Sequence, residues 1–377
     1  MAAERSKTAL VLTGGGIMGA AYEIGALTAL DRLFARGFST RRFDLYLGIS
    51  AGSVIAALLA SRISAAQLFT AISTEQRSVF NWHRHNIYQP DWRTLLRGLI
   101  ELPRKLLQVR RNYRHNRWVF NPRDLPHLLF EQFPAGIFSL EPMQRYLCQA
   151  FRSEGVCDDF AQLKSELYIP AYDLDRGRRV VFGTPGHRSL HICQAITASC
   201  AIPLFFRPYQ VDDSSYVDGS SGLVTHLDIA IERGARLIVL VNPRVPFDND
   251  PERACLPALS SGRCSRVADL GMLFAWEQTQ RIEAREKLRL AINFYRHQHP
   301  EVDIVLIEPG SDEALLFFQG PMSSLARNQV MHYGYELTMA ALAERFEELA
   351  GILSRHGIAA TRDRLDAAPP GSPLQAH

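Results

Sequence analysis

The sequence predicts an α/β fold built on a mainly parallel sheet, and three observations predict it. The first 61 residues read strand, glycine loop, helix, strand, sharp turn, helix, and alternation of this kind implies parallel strands. Short apolar runs recur later at Arg236–Val241 (RLIVLV) and Asp303–Ile307 (DIVLI), as expected of strands buried on both faces. At 377 residues, 47% hydrophobic and 21% charged, the composition is globular and excludes wholesale disorder.

Each element follows from its residues. Thr8–Thr13 (TALVLT) is a short apolar strand stopped by glycine. Ile17–Ala35 is a helix, with Ile24, Leu27, Leu30 and Leu33 at helical spacing and Gly37 as its stop. Phe43–Ile49 is a second strand, and Ala51–Ser61 a helix apolar on most faces and hence buried. Residues 82–135 change character, rich in Trp, His, Arg and Pro, and read as a basic amphipathic helical insertion. Strands then follow at Glu166–Asp173 and Arg179–Gly183 about an Asp-Arg-Gly turn. Gln194–Cys200 is a short helix, Ser215–Val217 runs into Asp218-Gly219, and Leu227–Arg233 is a helix ahead of the Arg236–Val241 strand. Val267–His297 is a long amphipathic helix, Asp303–Ile307 a strand and Gln329–Leu353 a terminal helix. The organisation is one domain, 1–359, carrying the 82–135 insertion, with a disordered tail expected over 360–377.

Two uncharged stretches bear on location. Thr8–Tyr22 follows Arg5 and Lys7 as a signal peptide would, but Gly14, Gly15 and Gly16 interrupt it. Leu45–Ser61 is short for a bilayer span and carries Gly48, Ser50, Gly52 and Ser53. Both read as core pieces of a soluble protein, so a cytoplasmic location is expected, with peripheral association at the inner membrane surface. The six cysteines show no CxxC spacing, and in a chain of this size they read as reduced buried thiols. No metal and no cofactor are expected.

Net charge is +3, too small to mark a nucleic-acid binder. It is unevenly spread. From Arg93 to Arg117 eight basic residues face one acid, Glu101, so that segment carries +7 and the remainder −4. Leucines interleave with the arginines, and Trp82, Trp92 and Trp118 flank or join them. Such a segment suits an anionic membrane surface, and a solvated cap or a partner interface suits it equally.

Three constellations carry chemistry. Gly48-Ile49-Ser50-Ala51-Gly52 is a GxSxG pentapeptide between a strand and a helix, the setting in which a turn projects a nucleophilic serine from the sheet. A serine that merely caps the helix is the plainer reading. Gly14-Gly15-Gly16-Ile17-Met18-Gly19 satisfies the dinucleotide pattern GxGxxG, with Gly14, Gly16 and Gly19 as its glycines. That pattern wants an acid at the end of the second strand. Here the strand runs into Ser50, and the nearby acids Asp31 and Asp44 are misplaced. The alternative use of a glycine triplet is an oxyanion hole of bare amides at a helix start. Asp218-Gly219 offers a carboxylate that either takes the serine proton directly or orients a histidine. His226 and His332 are the histidines placed to complete a triad, although each alone reads as a packing or surface residue.

Together these residues resemble the patatin-like phospholipases: a triple-glycine loop after the first strand, GxSxG some 35 residues on, and a distant Asp-Gly. Tyr172-Asp173-Leu174 with Val180-Val181-Phe182, and Ala195–Pro208 (AITASCAIPLFFRP), are similar to further blocks of that family. The resemblance implies an α/β/α sandwich and a Ser-Asp dyad without histidine, Ser50 the nucleophile and Asp218 the base. It implies Gly14, Gly15 and Gly16 as oxyanion hole, and hydrolysis of phospholipid or lysophospholipid acyl esters through an acyl-enzyme. Two departures stand out. Met18 occupies the place of the family's usual Arg or Lys, and Thr225, His226, Leu227 and Asp228 stand where Asn and Pro are common after Asp-Gly. The competing classes are a nucleotide-binding oxidoreductase using the Gly14–Gly19 loop and a catalytically dead, membrane-recruited binding protein.

Overall fold

The structure, a computed structural model, describes residues 5–74, 89–91, 134–250, 252–257, 262–312, 316–317 and 326–365, with single positions between 96 and 111. Most of the insertion expected at 82–135, including the Arg93–Arg117 cluster as a unit, and the chain beyond 365 lie outside the described residues.

The strands in chain order are β1 (Thr8–Leu12), β2 (Leu45–Gly48), β3 (Gln89–Pro90), β4 (Gly136–Ser139), β5 (Glu166–Asp173), β6 (Arg178–Phe182), β7 (Leu204–Phe206), β8 (Tyr209–Val211), β9 (Ser214–Val217), β10 (Leu237–Val241), β11 (Leu256–Pro257), β12 (Cys264–Ser265) and β13 (Asp303–Ile307). The central sheet runs β13-β10-β1-β2-β5-β9-β8, with β6 also on β5. From β13 through β5 every pairing is parallel. The β6, β8 and β9 pairings are antiparallel. Strand alternation divides the core. Leu10 and Leu12 of β1 face the larger cluster, with helix α1 (Gly16–Leu33), helix α2 (Ala51–Ala60) and the Arg327–Glu344 helix. Ala9 and Val11 face the other, with the Leu227–Glu232 and Met272–Gln298 helices. The result is an α/β/α sandwich. The helix on α1 sits unusually close: a Cβ on Gly25 would lie 2.1 Å from the Met331 carbonyl oxygen, and one on Gly334 would lie 2.8 Å from that of Tyr22.

Register places the two motif residues together. Leu47 of β2 pairs with Tyr168 of β5, and Val217 of β9 pairs with Tyr172 from the opposite direction. Counting on along each chain brings both Ser50 and Asp218 level with Ala171. β5 is eight residues long, so its first half serves β2 and its second half serves β6 and β9.

Several expectations are corrected. The cysteines are not all reduced: Cys148 bridges Cys193 and Cys255 bridges Cys264, with Cα–Cα distances of 5.2 and 5.5 Å, while Cys157 and Cys200 remain thiols. Motif spacing misses such pairs because tertiary packing, not sequence separation, brings the Cβ atoms into bridging range. The tail does not begin at 360. Ala360 bridges Phe34, the Thr361 amide donates to Leu33, and Leu365 is buried. The terminal helix is broken at Arg345 into Arg327–Glu344 and Phe346–Arg355. The helices Ala65–Ser73, with a Ser64/Gln67 capping box, and Glu141–Ser153 go beyond the sequence reading. Among the described residues, no helix is long and apolar enough to cross a membrane.

The crossing of α2 over β1 depends on Gly52. A Cβ there would meet the Leu12 carbonyl oxygen at 2.6 Å and the Gly14 amide nitrogen at 2.9 Å, both backbone atoms that have nowhere to go. Gly52→Ala is therefore expected to lower unfolding free energy by about 1–3 kcal/mol in urea titration. An unchanged midpoint would contradict this packing.

Candidate active site

Three loops meet at the carboxyl ends of the parallel strands, where α/β folds place ligands. β1 ends in Gly14–Gly16, β2 in Ser50, and β10 in Asn242–Arg244. Asp218 comes to them from the antiparallel side, at the end of β9.

Ser50 sits between β2 and α2 with φ 52° and ψ −131°, a positive φ that a side-chain-bearing residue adopts only under constraint. The constraints are visible. Its amide donates to Ser199 Oγ at 3.0 Å, and its carbonyl accepts from the Ser53 amide at 2.9 Å and from Ser53 Oγ at 2.5 Å. The hydroxyl faces two groups, the Asp218 carboxylate and the buried Cys200 thiol; burial raises the pKa of both, and the hydroxyl offsets only part of that rise.

Asp218 is 1% exposed. Its amide donates to the Ala201 carbonyl at 2.9 Å. Oδ1 accepts from the Ser220 amide at 2.8 Å and from Ser220 Oγ at 2.7 Å. Oδ2 is buried and closes no hydrogen bond with any described residue. Ser50 therefore lies beside the carboxylate without a formed bond to it. Burial pushes the Asp218 carboxyl above its ordinary value, against the pull of Ser50, Ser220 and Arg244.

Gly14, Gly15 and Gly16 all have positive φ, at 75°, 117° and 69°. The loop packs onto the serine turn: a Cβ on Gly14 would meet the Ile49 carbonyl oxygen at 2.4 Å and the Ala51 amide nitrogen at 3.1 Å. The triplet is not uniform. The Gly14 amide donates to Glu23 Oε1 at 2.8 Å, so it is already engaged. No acceptor among the described residues takes the Gly15 or Gly16 amide. Glu23 is fully buried in α1, and desolvation lifts its carboxyl to about 8.

The two histidines lie elsewhere. His226 is buried, donates from Nε2 to the Gly219 carbonyl at 2.9 Å and accepts at Nδ1 from Arg179 at 3.2 Å. Burial drops its pKa to about 4, so it is neutral at neutral pH. His332 packs on Phe69 and lies 3.3 Å from Ser73 Oγ. No histidine lines either chamber beside Ser50 among the described residues.

Those chambers differ in chemistry. One is walled almost wholly by apolar groups, among them Ile17, Val54, Met143, Leu147, Ile202 and Phe206. The other has Asp218, Ser220, Arg244, Glu277 and Gln280 in its wall. Ser199, Ser220, Glu23 and Arg244 escape motif reading. Only Arg244 had a usable signal: it follows a buried parallel strand, at the end where sites form.

The chain belongs to the patatin-like phospholipase family, whose model matches residues 10–229. The glycine loop, the serine turn and the Asp-Gly turn described above fall within that span, whereas β10 and β13 lie beyond it. A curated relative, the cGAMP-activated phospholipase of Pseudomonas aeruginosa (strain BWHPSA011 / Pa011), is 26% identical over 221 residues, 57% of this chain and 52% of the relative. The chain thus spans about half the length of that relative. Among solved structures, VipD from Legionella pneumophila aligns with 90% of this chain and 67% of its own, at 15% identity and a TM-score of 0.36. The type III effector ExoU of Pseudomonas aeruginosa aligns with 90% of this chain and 53% of its own, at 16% identity and a TM-score of 0.34.

Glu23 yields a signed prediction. The unfolded chain releases this proton near 4.5, whereas the folded chain holds it to about 8. Folded protein binds the extra proton in that window, so stability falls as pH rises through it. Glu23→Gln, which keeps an acceptor for Gly14, is expected to gain stability over the wild type, the gain growing between about pH 5 and about pH 8. A difference in urea midpoint that does not vary with pH would contradict the buried, protonated Glu23.

Proposed function

We propose that this protein is a serine acyl hydrolase that cleaves phospholipid or lysophospholipid acyl esters with a Ser50–Asp218 dyad, in a domain that includes the 82–135 insertion. The observation that carries the reading is the asymmetry of Asp218. One oxygen is held by Ser220; the other is buried, unpaired among the described residues and beside the hydroxyl of a strained serine. A carboxylate desolvated in this way is a stronger base than one in water. It takes the Ser50 proton as Oγ attacks the ester carbonyl carbon. The Gly15 and Gly16 amides face the resulting oxyanion, with the α1 N-terminus behind them, and Gly14 serves as the anchor of the loop. Collapse breaks the bond to the leaving alkoxide, which receives the proton from Asp218, and leaves an acyl-Ser50 ester. Water, deprotonated by the same carboxylate, then hydrolyses that ester. The apolar chamber fits the acyl chain.

Membrane contact belongs to the same proposal. The +7 segment Arg93–Arg117 supplies the attraction to anionic lipid. Leu204, 65% exposed at the rim of the polar chamber, and Met272, 82% exposed one helical turn before Trp276 of that rim, support a mouth that opens onto an interface.

Two outcomes test the dyad. Ser50→Ala and Asp218→Asn should each reduce kcat on a p-nitrophenyl ester by about 10³-fold or more while circular dichroism is unchanged. Wild-type activity should also fall with acid along a limb above the ordinary carboxylate pKa, because Asp218 must be ionised to accept the proton. Retained turnover in Asp218→Asn, or its loss in His226→Ala with the fold intact, would replace the dyad with another mechanism.

A further inference from the structure

We propose that Arg244 is the headgroup-recognition residue of this site, its guanidinium holding the phosphodiester oxygens of the phospholipid whose acyl ester sits at Ser50. The inference rests on the Ser50–Asp218 reading and deepens it by assigning the second chamber.

Two chambers flank Ser50, and the apolar one has no charge to offer a phosphate. In a glycerophospholipid the phosphate is only a few bonds from the scissile ester, so it must occupy the chamber the acyl chain leaves open. The charged groups of that chamber are Asp218, Glu277 and Arg244. Glu277 is neutralised: Arg281 Nε donates to its Oε1 at 2.8 Å, and both side chains are buried. The other two nitrogens of Arg281 are spent on the Val245 carbonyl at 3.2 Å and the Leu316 carbonyl at 2.9 Å. Arg244 differs. Among the described residues its guanidinium has no carboxylate within ion-pairing distance and makes no hydrogen bond, although the residue is partly buried. A cation taken partly out of water with no hydrogen bond or close ion pair, only the longer-range pull of Asp218, is a cost that a bound anion reduces, and a planar guanidinium matches two phosphate oxygens at once.

The residue is also placed. Its amide donates to Asn242 Oδ1 at 3.3 Å, and Asn242 is buried and tied to Thr13 at 3.1 Å and Glu308 at 3.1 Å. Its stem lies along the glycine loop, where a Cβ on Gly15 would meet Arg244 Cγ at 2.9 Å. Within that loop's own helix, Met18 is buried and uncharged. The cation of this site therefore comes from the end of β10.

The test compares one lipid pair in the same detergent micelles: a diacyl phosphatidylglycerol and the diacylglycerol with identical chains. Arg244→Gln should lower kcat/KM for the phospholipid about 10- to 100-fold more than for the phosphate-free ester, mainly through KM. Arg244→Lys, which keeps the charge but loses the fork, should fall between. Any change that Arg244→Gln makes to Asp218 acts on both esters and cancels in the ratio. An equal loss on both, or no loss on either, would overturn the assignment while leaving the dyad standing. Should Arg244→Gln fail to fold, the ratio measured in Arg244→Lys decides, and a wild-type ratio there overturns it. A wild type that cleaves neither ester would overturn both readings.

Discussion

A carboxylate cannot be buried cheaply, and Asp218 is buried with only one of its oxygens satisfied by the described residues. The surrounding structure is arranged to hold it so. Ser220 grips Oδ1, the Ala201 carbonyl fixes the backbone, and His226 braces the following turn through the Gly219 carbonyl. Gly219 has no room for a side chain, since a Cβ would lie 2.4 Å from the Pro170 carbonyl oxygen and 2.9 Å from Ser199 Oγ. Ser199 in turn accepts the Ser50 amide, so the hydroxyl that holds the serine turn also lies against the aspartate turn. What remains unsatisfied is a single oxygen, and it is the one beside the serine.

The same logic of deliberate incompleteness recurs around the site. Gly14 gives its amide to a buried, proton-holding Glu23, and the next two amides find no acceptor among the described residues. Arg281 is saturated by Glu277 and two carbonyls, and Arg244 beside it is not. Each free group sits next to a fully satisfied neighbour that holds its backbone or its wall in place. Pre-organisation of this sort spends folding energy to lower the reorganisation needed during reaction.

The parallel core was legible because it is written locally. TALVLT, FDLYLGI and RLIVLV are strands by apolar run length, and the glycines at 14, 48 and 52 stand where backbones nearly touch. The strand–turn–helix around Ser50 and the strand end before Asp218 were legible because motif and strand context agreed. What escaped reading was non-local. The Cys148–Cys193 bridge joins the Glu141–Ser153 and Ile192–Ser199 helices across 45 residues. The Gly14–Glu23 bond depends on how the glycine loop turns against the first turns of α1, and nothing in GGGIMG distinguishes its first amide from the next two. Residues 360–365 have a tail-like composition, yet they pack because Phe34 and Leu33 present backbone partners. Arg244 is one arginine among many until its lack of a partner is seen.

The central claim is that Ser50 is a nucleophile and that Asp218 makes it one. It is tested most directly by covalent capture: reaction with a fluorophosphonate ester at neutral pH, followed by proteolysis and mass mapping of the adduct. The account predicts a stoichiometric adduct on Ser50 in the wild type and none, on the same timescale, in folded Asp218→Asn. An adduct on another residue, or equal labelling of Ser50 without the Asp218 carboxylate, would contradict it.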